Sequence, residues 1–216
     1  MNGYFITATG TDIGKTFVTA GLIHQARKKE QSVHAVKPVL SGFDGSPTSD
    51  AHILLEALGK QATAQEMDLI SPWRMKAALS PDMAAKREGM ALPYVEILDH
   101  ARPKSRHTTT FVEGVGGAFS PISENHLNVD FMTDLKLPVL LVTGSYLGAI
   151  NHTLATLEAL KARSVSVHTI ILSQSADEAV TTQETHHALS KRTNVHILPL
   201  PRKTHWREAE ELAVLL

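Results

Sequence analysis

Ile6 to Val18 read ITATGTDIGKTFV. The stretch has the form of the end of a buried strand, a glycine-containing loop and the start of a helix. Gly14-Lys15-Thr16 supplies what a phosphate requires there. Backbone N–H groups at a helix N-terminus present partial positive charge to an anion. A lysine reaches the β- and γ-phosphates, and a threonine hydroxyl can ligate Mg²⁺. Gly14 lets the main chain approach closely. The match to G-x-x-x-x-G-K-[ST] is incomplete, because the first glycine position holds Thr9, followed by Gly10. An ordinary strand-to-helix turn is the competing reading, and the flanking pattern favours phosphate binding. Tyr4–Ala8 reads as a strand and Lys15–Lys29 as a helix carrying Val18, Leu22 and Ala26 on one stripe.

Short, continuous apolar runs recur along the chain: Val33–Val39, Thr109–Glu113, Val139–Thr143, His168–Leu172 and Val195–Leu200. Such runs suit strands buried on both faces of a parallel sheet. Helical patterns separate them, at Ala51–Leu58, Pro93–Ala101, Val129–Leu135, Gly148–Arg163, Thr181–Arg192 and Trp206–Leu216. The alternation predicts an α/β fold, a doubly wound and mostly parallel sheet with helices on both faces, with ligands at the carboxyl ends of the strands. Ser71–Gly89 reads as a long irregular connection, of the kind that serves as a functional loop or lid.

The 216 residues fit one domain, residues 1–216, and 43% hydrophobic content fills a core. A net charge of −1 gives no global case for nucleic acid. With no cysteine, thiolate metal sites and cysteine nucleophiles are excluded. Twelve histidines form neither an H-E-x-x-H nor an i,i+4 pair, which argues against a histidine metal site. The first residues lack the basic flank and apolar run of a secretory signal, and no run is long enough for a membrane span, so a cytoplasmic protein is expected.

Four further clusters carry chemistry. Lys37, in Val36-Lys37-Pro38-Val39-Leu40-Ser41-Gly42, closes the second strand beside the phosphate loop, where two lysines could neutralise charge during phosphoryl transfer; an edge lysine before a proline turn is the plain alternative. Glu113, in Val112-Glu113-Gly114-Val115-Gly116-Gly117, ends a buried strand and can hold Mg²⁺ directly or through water. Ser49 can cap a helix with Asp50 in its first turn, or Asp50 can be a second carboxylate for the metal. Leu147-Gly148-Ala149-Ile150-Asn151 opens a long helix whose N–H groups could receive an anion, or is a routine turn.

Taken together these pieces resemble the dethiobiotin synthetase family. The resemblance runs from Tyr4 to about Pro201, through T-x-T-D-x-G-K-T (Thr9–Thr16), K-P-V-x-S-G (Lys37–Gly42), S-D-A (Ser49–Ala51), Ser80-Pro81, V-E-G-x-G-G (Val112–Gly117) and L-G-x-I-N-H (Leu147–His152). It implies an ATP- and Mg²⁺-dependent ligase of biotin biosynthesis that carboxylates 7,8-diaminopelargonate with CO₂ and closes the cyclic urea. In that scheme Lys15 and Lys37 are catalytic. The nucleotide meets Asp12, Ile13, Gly14, Lys15, Thr16, Phe17, Glu113, Gly114, Val115 and Gly116, with its base near Ser173 and the Leu200-Pro201-Arg202 turn. Thr16, Asp50 and Glu113 hold Mg²⁺. Thr11, Lys37 and Ser41 meet the diamine or its carbamate, and Gly148 and Asn151 hold the substrate carboxylate from the partner in a homodimer. The chain departs from the family at Ala8, Gly10, Asp82, Tyr146 and Ser173, which bears on nucleotide selectivity and implies tolerance for several nucleoside triphosphates. A ParA/MinD-like ATPase shares the fold and the loop, but carries an extra lysine where Gly10 stands here, and no basic or amphipathic surface for DNA or membrane is evident. A nucleotide-binding regulatory module would not need the full set of Lys15, Thr16, Lys37, Asp50 and Glu113.

Overall fold

The computed structural model describes residues 3–178 and 180–216. Its strands are β1 (Gly3–Ala8), β2 (Val33–Val36), β3 (Val39–Leu40), β4 (Trp73–Arg74), β5 (Thr109–Glu113), β6 (Val139–Gly144), β7 (Val167–Ser173) and β8 (His196–Leu200). Its helices are α1 (Lys15–Lys28), α2 (Asp50–Leu58), α3 (Ala64–Ile70), α4 (Pro81–Glu88), α5 (Tyr94–Ala101), α6 (Asn128–Leu135), α7 (Ala149–Ala162) and α8 (Thr182–Ser190). Six strands form one parallel sheet in the order β2-β5-β1-β6-β7-β8. The second pair, β3 and β4, forms a separate parallel ladder.

The apolar runs are continuous because both sheet faces are covered. Ile6, Ala8, Leu140 and Val142 pack against α1 and α2, while their neighbours Phe5 and Val139 face the opposite core with Ile97 of α5 and Phe131 of α6. Leu141, Ile170 and Leu172 join Leu189 of α8 in a third cluster. The register pairs Ile6 with Glu113 and Val36 with Val112, so the carboxyl ends of β1, β2 and β5 finish side by side. Chain reversal about β1 makes this the switch point where α/β sheets hold ligands.

Three sequence expectations are corrected. The strand expected over Val33–Val39 ends at Val36, since Pro38 has no N–H for a ladder and Lys37 N donates to Ile70 O at 3.0 Å. Ser71–Gly89 is not irregular: it contains β4 and α4, and Pro81 occupies the first turn of α4 with Ser80 at the N-cap. Trp206–Leu216 is not an α-helix but two 3₁₀ turns, Trp206–Glu208 and Glu210–Leu215. Its buried residues Trp206, Ala209, Leu212 and Leu215 recur every third position, which is the 3₁₀ period.

Candidate active site

The β1–α1 loop sets the site. Gly14 is the N-cap of α1 at φ 103°, ψ 22°, a left-handed conformation that glycine adopts without a Cβ penalty. Asp12 also has positive φ, at 57°, which aspartate tolerates better than most residues. The first N–H groups of α1 have no side-chain cap, so they stay available to an anion. Lys15 follows, 6% exposed, with Nζ donating to Gly10 O at 3.1 Å. Burial, then the charge of Lys37, pulls its ammonium down to about 8.

Beside the loop lies a compact ionic network. The Glu113 side chain, fully buried at the end of β5, accepts from Thr16 Oγ1 at 2.7 Å and from Lys37 Nζ at 2.8 Å, both on Oε1. Lys37 Nζ also donates to Asp50 Oδ2. Burial alone would lower the Lys37 pKa, but the Glu113 and Asp50 carboxylates outweigh it and hold the ammonium above its usual range. Burial would raise Asp50, yet the charge and hydrogen bond of Lys37, with the charge of Lys15, hold it below the usual carboxylate range. Removing one partner of such a buried pair strands the other charge, which is the expensive direction.

Glu113 Oε2 is buried and has no hydrogen-bond partner. That open lone-pair site, the Thr16 hydroxyl and the Asp50 carboxylate form a hard-oxygen set suited to Mg²⁺. Among the described residues no group of three His, Asp or Glu side chains is placed to hold a metal, so a metal here would need the Thr16 hydroxyl as well as the two carboxylates. Asp50 begins α2, but Ser49 makes no capping bond to the helix backbone. Its Oγ instead meets His52 Nδ1 at 2.8 Å, so the capping reading of Ser49 is replaced.

A cavity of about 760 Å³ opens over these groups. Thr11, Asp12, Gly14, Lys15, Thr16 and Phe17 form one wall; Lys37, Ser41 and Asp50 form a second; Val115 and Gly116 close it. Ile13 packs toward the core, and a Cβ on Gly114 would sit 3.0 Å from the Phe5 ring, so these two support the walls. Ser173 Oγ lies 3.5 Å from where a Cβ on Gly14 would be, behind the phosphate loop. The turn after β8 adjoins it: Gln174 N donates to Leu200 O at 2.9 Å, and Arg202 N donates to Gln174 Oε1 at 2.9 Å. Gly148 and Asn151 stand apart, exposed at the start of α7.

The cavity has a wall that the sequence did not assign. Ala78, Leu79, Ser80 and Pro81 line it, together with Leu40 and Ser120. The β3–β4 ladder brings them in, continued by Met75 N to Leu40 O at 2.8 Å and Gly42 N to Ala77 O at 3.0 Å. The serine-proline pair at Ser80-Pro81 is a helix-start signal and could have located this wall.

A family model described as an AAA domain matches residues 2–203. An ATP-dependent dethiobiotin synthetase BioD of Phenylobacterium zucineum (strain HLK1) is 44% identical over 218 residues, covering 97% of this chain and 93% of that protein. One from Caulobacter vibrioides (strain NA1000 / CB15N) is 38% identical over 221 residues, covering 100% and 99%. Among solved structures, apo McdA of Cyanthece aligns at TM-score 0.57 and 12% identity, covering 99% of this chain and 90% of that one. Chloroplast FtsY of Physcomitrella patens aligns at TM-score 0.52 and 13% identity, covering 99% of this chain and 64% of that one. These two likenesses show a shared fold alone.

Proposed function

The chain belongs to the ATP-dependent dethiobiotin synthetase family, and on that premise we propose how its residues convert 7,8-diaminopelargonate, CO₂ and ATP into dethiobiotin, ADP and phosphate. The enzyme is a ligase of biotin biosynthesis. The observation that carries the mechanism is the double lining of the cavity. The phosphate loop forms one side, and Lys37, Ser41 and Leu79–Pro81 form the other, leaving room beyond the nucleotide phosphates for a second substrate. A volume of about 760 Å³ falls within the range of small-molecule clefts, about 300–1,000 Å³.

One amine of the substrate adds to CO₂ and loses a proton, giving a carbamate. A carbamate oxygen attacks the γ-phosphorus and ADP departs. The second amine then attacks the carbamoyl carbon, the carbon–oxygen bond to phosphate breaks, and the cyclic urea and phosphate separate. An anionic nucleophile meeting an anionic phosphate needs clustered positive charge. Lys15 and Lys37 supply it together, and their burial strengthens each interaction. The α1 N-terminus orients the phosphates. Thr11 and Ser41 face the space for the carbamate and diamine. Thr16, Asp50 and Glu113 would hold Mg²⁺, which when bound neutralises charge on the β- and γ-phosphates. The base is assigned to the ground between Ser173 and the Leu200-Pro201-Arg202 turn. Gly148 and Asn151 serve the substrate carboxylate of a second copy in a homodimer. No helix among the described residues is long and apolar enough to cross a membrane, and a cytoplasmic location is part of this reading.

The test combines purified protein, the diamine, bicarbonate and MgATP, and measures dethiobiotin and phosphate together. Equal yields of the two, both requiring the diamine, are expected. Phosphate release indifferent to the diamine would instead support a ParA/MinD-like ATPase. Repeating the assay with CTP and GTP reads base selectivity, and the short Ser173 side chain predicts turnover with all three.

A further inference from the structure

The glycine loop after β5 is held by a residue outside every motif discussed above. Asn128, the first residue of α6, is fully buried. Its Nδ2 donates to Gly117 O at 2.8 Å and also to Val115 O. Both amide protons are therefore spent on two carbonyls that flank Gly116. Gly116 has φ 52°, and a Cβ there would lie 2.3 Å from Ser120 Oγ, so only glycine fits. Ser120 Oγ itself accepts from Gly117 N at 2.8 Å, and Asn128 N donates to Ser120 O at 2.9 Å.

This arrangement fixes a direction. A trans peptide points its C=O and N–H to opposite sides. With the Val115 carbonyl drawn inward to Asn128, the Gly116 N–H faces outward, on a residue that lines the active-site cavity. Across the gap lies Thr11, whose Oγ1 is 3.7 Å from the same notional Cβ on Gly116. Asn128 is itself braced. Leu127 N donates to Asp130 Oδ2 at 2.8 Å, and the preceding turn is stapled where Tyr94 stacks on His126 with ring centroids 3.7 Å apart.

We propose that Asn128 is a positioning residue, which locks the Val115–Gly116 peptide so that the Gly116 N–H donates to an oxygen of the phosphoryl group in transfer. This rests on the phosphoryl-transfer reading given above. A donor placed for the in-line arrangement of the phosphoryl in transfer, rather than for its position in bound ATP, raises kcat and leaves ground-state binding nearly unchanged. Without the Asn128 amide, the two carbonyls lose their shared donor and the peptide is free to rotate.

The test substitutes Asn128→Asp, which keeps the shape and replaces the donor with an acceptor that repels both carbonyls. Steady-state kinetics, nucleotide affinity by titration calorimetry and Tm are measured on the full chain. Expected is a fall in kcat of about 10²-fold, the scale of one lost oxyanion donor, with KM for the diamine and nucleotide Kd each within about threefold. Asn128→Ser, which retains one hydroxyl donor, should recover part of kcat. If Asn128→Asp does not fold, Asn128→Ala takes its place with the same expectation. The proposal is overturned if the folded variant keeps kcat within about threefold, or if nucleotide affinity falls as far as kcat. Should the parent enzyme itself make no dethiobiotin, it is the functional reading that fails, so the two failures are separable.

Discussion

The β1–α1 and β6–α7 junctions each turn on a glycine in the left-handed region, Gly14 at φ 103° and Gly148 at φ 97°. Each starts a helix of 14 residues whose first turn has no side-chain cap. At the second junction Ala149 N already donates to Tyr146 O at 3.0 Å, and the surroundings of the two differ further. At the first junction Lys15 is buried, Thr16 is bonded to Glu113, and Lys37 stands between two carboxylates. At the second, Leu147 is 78% exposed and Gly148 and Asn151 face outward. Tyr146 links the junctions, its hydroxyl meeting Thr9 Oγ1 at 3.3 Å and His152 Nδ1 at 3.0 Å, and Thr9 Oγ1 also donates to Thr143 Oγ1 at 3.4 Å. A helix N-terminus is therefore a receptor in need of company. The first junction has its cations and carboxylates within one chain, and our reading has the second completed by another copy.

The largest test of this contrast is Lys37→Ala. Product formation should fall by about 10³-fold or more, at or beyond the scale of one lost electrostatic stabiliser, while calorimetry still detects nucleotide. Normal turnover would remove Lys37 from the reaction. Next come the two glycines. Alanine at either position is strained by about 1–2 kcal/mol, but Gly14→Ala should weaken nucleotide binding about tenfold or more, and Gly148→Ala should leave nucleotide affinity unchanged and raise KM for the diamine. The reverse pattern would exchange the roles of the two junctions. Asn151→Ala should raise that KM about tenfold, the loss expected for a hydrogen bond to a charged group. Mixing it with Lys37→Ala sharpens the point. With the diamine held well below KM, if sites are shared across a two-fold axis, mixed dimers carry one intact site and up to about a quarter of parental activity returns; if each chain is self-sufficient, activity stays at the average of the two variants alone. The smallest effect concerns a third helix start. Ser49→Ala should shift stability by no more than about 0.5 kcal/mol, because Ser49 makes no capping bond to α2; a loss near 1 kcal/mol in thermal unfolding, typical of a lost N-cap, would contradict the geometry.

The sheet was legible because its strands are buried on both faces and show as unbroken apolar runs. Thr109–Glu113 matches β5 at both ends. Lys15, Thr16, Lys37, Asp50 and Glu113 could be grouped because parallel strands deliver their carboxyl ends to one edge. Other features depend on contacts that no local pattern announces. Ala78 and Leu79 reach the cavity through the two-residue strands β3 and β4, too short to show periodicity, and only the neighbouring Ser80-Pro81 pair carries a local signal. Asn128 acts through main-chain carbonyls more than ten residues away, and a lone asparagine at a helix start reads as routine. The C-terminal turns read as a helix in the sequence because a three-residue repeat over so few positions is hard to tell from a helical one.

The central claim is that a carbamate oxygen, held between Lys15 and Lys37, attacks the γ-phosphate. Turnover in ¹⁸O-labelled bicarbonate, stopped before the label exchanges with water, reads it directly by mass spectrometry of the released phosphate. The account predicts one ¹⁸O in the phosphate for each dethiobiotin formed, because ring closure breaks the carbon–oxygen bond and leaves that oxygen on phosphorus. Unlabelled phosphate alongside normal product would contradict it.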